Sequence, residues 1–122
     1  MKKTILILAV VLASLSTFGQ NISGKWYGNM DIHGKQLKVV FHIAKTSSGY
    51  KAILDSPNQK SFGIPVTYTN YADSILRLEI KEAGIEFLGT LNDEYNFVGV
   101  IKQSGEIFPI VLTTDKIAKD KR

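Results

Sequence analysis

From residue 24 to residue 112, apolar side chains recur at every second position in short runs, and none keeps the three-to-four spacing of a helical stripe. Such a chain buries one face of a sheet. Glycine and small polar residues break the runs about every 9 to 15 residues, the punctuation of successive hairpins. Residues 24–32 place Trp26, Met30 and Ile32 on one face and Lys25, Tyr27, Asn29 and Asp31 on the other. After the His33-Gly34 turn, residues 36–45 turn Leu37, Val39, Phe41 and Ile43 inward. Further runs at 50–55, 64–70, 75–81, 85–92, 96–103 and 106–114 continue the inward set through Ala52, Leu54, Ile64, Val66, Tyr68, Leu76, Leu78, Ile80, Ile85, Phe87, Leu91, Phe97, Ile101, Phe108, Ile110 and Leu112.

Eight strands joined by short turns, with no helix between them, predict an all-β, antiparallel up-and-down meander. Closing into a barrel hides the apolar face and removes both exposed edges. A two-layer sandwich is the competing closure. Gly28, Gly89 and Gly99 fall inside strands, where they relieve crowding at bends.

The ends of the chain read differently. Lys2 and Lys3 precede an apolar stretch, Ile5 to Leu12, and the small residues Thr17 and Gly19 suit cleavage before Gln20, so residues 1–19 are expected to be a signal peptide. That apolar stretch is too short to span a bilayer, so no membrane span is expected after its removal. Residues 20–114 would form the barrel domain and residues 115–122 a charged tail. The chain has no cysteine. An exported, soluble domain, periplasmic or extracellular, must then be held by its core without disulfides. Asp73-Ser74-Ile75 matches a bacterial O-glycosylation pattern.

The formal charge of +4 resides at the ends. Residues 21–114 hold nine Lys or Arg and nine Asp or Glu, interspersed along the strands, which argues against nucleic acid as a partner.

Gly24-Lys25-Trp26 resembles the Gly-x-Trp opening of lipocalin barrels, in which the indole plugs the closed end, so Trp26 is assigned that role by resemblance. Four stretches, Ile22 to Gly28, Leu37 to Ile43, Asp55 to Pro57 with Gly63 to Thr67, and Gly84 to Phe87, resemble a small β-domain. That domain is found ahead of secreted bacterial α/β-hydrolases of the esterase and serine-peptidase kind. The resemblance implies a lipocalin-like accessory domain standing alone, with no catalytic residues to carry over.

The residues themselves supply little chemistry. No Gly-x-Ser-x-Gly nucleophile turn is present. The two histidines, His33 and His42, read as surface residues, and without cysteine or a third histidine neither a metal site nor a cofactor is expected. Binding remains. By strand parity the turns at 31–35, 56–63, 81–84 and 103–106 share one end of the barrel, so Asn58, Gln59, Phe62, His33 and Gln103 are the expected mouth residues. More than twenty large apolar side chains point inward, and an eight-stranded barrel is only just wide enough for its own side chains or one small ligand. A filled interior is expected, with a small apolar ligand as the alternative. Outward positions Val40, Leu88, Val98, Val100, Ile107 and Val111 are unexpectedly apolar and form a candidate contact patch for a protein partner or a homodimer.

Overall fold

The computed structural model describes residues 21–114. The expected signal peptide and charged tail lie outside them. Among the described residues there is no α-helix; nine strands and two 3-10 turns account for the regular structure. The strands are β1 (Gly24–Ile32), β2 (Lys35–Thr46), β3 (Gly49–Ser56), β4 (Ser61–Pro65), β5 (Tyr68–Ala72), β6 (Ile75–Ile80), β7 (Ile85–Leu91), β8 (Phe97–Gln103) and β9 (Glu106–Leu112). Every pairing is antiparallel and joins neighbours in sequence, so the meander is present. It is divided into two sheets, β1 to β4 and β5 to β9, rather than one closed eight-stranded ladder.

The division falls inside the single strand expected at 64–70. Inward positions run Ile64, Val66 and then Thr69 and Tyr71, so the alternation slips by one residue where the chain leaves one sheet for the other. Each sheet holds the chain by one bond there: Val66 N–H donates to Ala52 O at 3.1 Å and Thr67 N–H to Glu79 O at 2.7 Å. A one-residue slip exchanges the faces of everything beyond it. Tyr68, expected inside, is therefore exposed, and Tyr71 takes its place beside Phe97 and Tyr50.

At the other seam β1 and β9 touch through one antiparallel bridge, Tyr27 with Thr113, whose two amide bonds measure 2.7 and 2.8 Å. Because Thr113 turns its amide toward β1, alternation turns position 109 the same way, and that position is Pro109. Proline has no N–H to offer, so the bridge cannot extend into a ladder there. Pairing of Pro109 with Val100 needs no amide on that side, so β8 and β9 lose nothing. Gly28 completes the seam: a Cβ there would lie 2.7 Å from Ile110 Cδ1 and Leu112 Cδ2, whose side chains occupy its place.

The inward faces of both sheets share one core that runs from Ile22 and Trp26 to Leu112. Trp26 is fully buried and donates its Nε1–H to Ile22 O at 2.9 Å. Its ring packs on Phe97 and Tyr95, with centroids 4.7 and 5.1 Å apart, and Tyr95 in turn donates its hydroxyl to Asn21 O. Phe41, Phe87 and Tyr71 add further rings. This aromatic filling matches the packed interior expected from sequence.

Candidate functional site

Toward the opposite end, where β1 and β8 finish and β2 and β9 begin, the aromatic filling gives way to aliphatic side chains, and here the interior is hollow. A cavity of about 200 Å³ lies between the sheets. Its walls are Met30 and Ile32 of β1, Leu37, Val39 and Phe41 of β2, Leu54 of β3, Ile64 of β4, Ile85 of β7 and Ile101 of β8, with Ala83 from a turn. The expectation of a filled barrel is corrected in this half: mostly aliphatic side chains from six strands converge here, with Phe41 the one ring among them. Among the described residues three polar side chains, Ser56, Gln59 and Gln103, complete the lining, and no charged side chain contributes to it.

The polar group comes from a local arrangement. Pro57 opens the 3-10 turn Pro57–Gln59, for which its fixed φ is suited, and Lys60 ends the turn in the left-handed region at φ 56°. The turn brings Gln59 back over Ser56, which is 3% exposed and donates its hydroxyl to Gln59 Oε1 at 3.0 Å. Asn58 Oδ1 accepts the backbone N–H of Lys38 at 2.8 Å and fastens the turn to β2. Outside the cavity an open cleft of about 560 Å³ is lined by Ile32, Lys35, Gln36, Leu37, Asn58 and Gln59. Ile32, Leu37 and Gln59 line both spaces, so the cleft is the vestibule of the cavity.

Of the expected mouth residues, Gln59 and Gln103 line the cavity and Asn58 lines the vestibule. His33 sits on the rim, where its Nε2 lies 3.2 Å from Glu106 Oε1 and links the two hairpin turns. Phe62 is 65% exposed on β4 and lines neither space. Sequence reasoning missed Ser56 and Lys35. Lys35 follows the His33-Gly34 turn, so strand parity already places it at this end.

The expected contact patch is mostly one surface. Register pairs Leu88 with Val100 and Val100 with Pro109, and beside that row Thr90 with Val98 and Val98 with Val111. Ile75 of β6, opposite Thr90, extends it. Val98 is 50% exposed and Ile107 60%, so the face is open to solvent. Val40 is separate: it lies on β2 opposite Tyr27.

On the outer face of the other sheet, His42 Nε2 lies 2.7 Å from Asp55 Oδ2, and Asp55 Oδ1 accepts the Gly63 N–H at 2.8 Å. That N–H foremost, with His42 and Lys25, holds the Asp55 carboxyl below its ordinary range. Among the described residues no hydroxyl bonds the second ring nitrogen of His42, so within them the pair lacks the nucleophile of a serine-hydrolase arrangement. Among the described residues no three metal-ligating side chains cluster and no helix is long and apolar enough to cross a membrane.

Compared with protein-family models, curated proteins and solved structures, the chain matches none.

Proposed function

We propose that this protein binds one small, uncharged or mostly apolar group between its two sheets. The observation that carries the reading is the hollow at one end of an otherwise packed core. A buried space of about 200 Å³ costs its walls their dispersion contacts, and a ligand restores them. It exceeds the roughly 150 Å³ engineered cavity that takes up benzene, so a ring or a short alkyl chain fits. An exported, lipocalin-like barrel is the fold that goes with this reading. Its supports are the sequential strand order, the bridge between Tyr27 and Thr113, and Trp26 filling the end remote from the cavity.

Native mass spectrometry and calorimetry with octanol test it. Uptake of one molecule is expected, and Ile64→Phe, which fills the hollow from its wall, should abolish uptake while the protein stays folded by circular dichroism. Undiminished uptake by the variant would overturn the reading.

A second reading, an exported protein-interaction module accessory to a secreted α/β-hydrolase, is favoured by the apolar outer face of β6 to β9. The two readings share β7 and β8 only by opposite faces and do not compete for residues.

A further inference from the structure

We propose that the vestibule selects an anionic head group, so that the ligand is a short amphiphile with its chain in the cavity and a carboxylate or phosphate at Lys35, Asn58 and Gln59. This rests on the cavity being a ligand site and adds the chemistry of its entrance.

Asn58 Oδ1 is occupied by the Lys38 backbone N–H, an obligate donor, which fixes the orientation of the amide and leaves its NH2 unpartnered. Gln59 Oε1 is occupied by the Ser56 hydroxyl, which likewise leaves the NH2. Lys35 has no carboxylate partner among the described residues. Asp31, one position before the cross-strand partner Ile32, accepts the Gly34 N–H at 2.9 Å and does not line the vestibule. Each side-chain oxygen of the turn thus already accepts a bond within the protein while its NH2 is free; Gln36 adds one further amide, with both an oxygen and an NH2, and Lys35 the only charge of the lining. A site that presents donors and one positive charge pairs with oxygens that carry negative charge. The cavity behind it has no charged side chain and takes the chain. Because Ile32, Leu37 and Gln59 line both spaces, chain and head of one molecule reach their sites together.

The test titrates the full protein with octanoate, octyl phosphate, octanol and octylamine by calorimetry. An anion should bind more tightly than octanol by up to about five-fold, the magnitude of a solvent-screened charge pair, and octylamine more weakly than either. The two anions distinguish a carboxylate from a phosphate head. Asn58→Asp keeps an oxygen for the Lys38 N–H but turns the free NH2 into a charged acceptor, and Lys35→Gln removes the ammonium. Each should erase the anion preference, read as the ratio of octanoate to octanol affinity. If no compound binds, the cavity reading itself fails. If octanol binds as tightly as octanoate, or both variants keep the preference for anions, the head-group inference falls while the cavity reading stands.

Discussion

Trp26 spends its single polar atom inside the core. Its Nε1–H satisfies the carbonyl of Ile22, itself fully buried, so Trp26→Phe leaves that oxygen without a donor and trims ring contacts with Tyr95 and Phe97. An orphaned buried acceptor costs about 1–3 kcal/mol. A loss in that range is expected from denaturant unfolding followed by circular dichroism, and an unchanged midpoint would mean that Ile22 finds another donor. Asp55 acts through its charge. A carboxyl held below its ordinary range stabilises the folded state above the unfolded value near 3.9, and the contribution disappears as pH falls through the folded value. Asp55→Asn should therefore lower the unfolding midpoint at pH 7 and by nearly as much at pH 5, with the gap closing as pH drops below about 4. A gap of the same size at pH 3 would show that shape, not ionisation, holds Gly63.

Glycines on the inward faces of strands show how much room each element has. A Cβ at Gly99 would stand 2.1 Å from Leu88 O and 2.5 Å from Gly89 Cα, both backbone of the paired strand β7. Only a shift of β7 against β8 relieves that, so Gly99→Ala should cost about 3 kcal/mol or more. At Gly28 the clash is with the tips of Ile110 and Leu112, which can rotate, and the loss of unfolded-chain freedom on Gly→Ala offsets part of the strain. Gly28→Ala should cost about 1 kcal/mol, and the reverse ranking in chemical denaturation would contradict the backbone-contact argument. These glycines were visible in the sequence as interruptions of the two-residue rhythm, and so were the strands and nearly every inward residue. Alternation is a local property, written in each segment. Tyr68 was misplaced because the slip beside it depends on where the chain changes sheets, a property of two ladders meeting; Pro65, unable to extend pairing through its nitrogen, was the one local sign. The vestibule was half legible. Strand parity assembled its turns, but the pairing of Ser56 with Gln59 and of Lys38 with Asn58 depends on a 3-10 turn that apolar spacing does not encode. The hollow depends on the summed volumes of side chains from six strands, which no single segment carries.

For the molecule as a whole, the two faces of β7 to β9 set up a separation between stability and association. Inside, Phe97 and Leu112 are fully buried; outside, Val98 and Val111 stand half or more than a third open. A surface change away from caps, buried groups and special backbone usually alters stability by about 0.5 kcal/mol or less, so Val98→Lys should leave the unfolding midpoint almost unmoved. The same charge placed centrally in an apolar face that two copies or a partner would have to desolvate opposes contact strongly. Sedimentation velocity over rising concentration is expected to show self-association of the parent protein that Val98→Lys and Val100→Lys each remove. Pro109 narrows the alternatives. It blocks a ladder along the β1 side of β9, so strand addition at that edge is disfavoured and contact at β9 would use the side chains of the face. If the parent protein stays monomeric at high concentration, the homodimer is excluded and the face serves a different protein or none; the cavity is untouched by either result, because its walls point the other way.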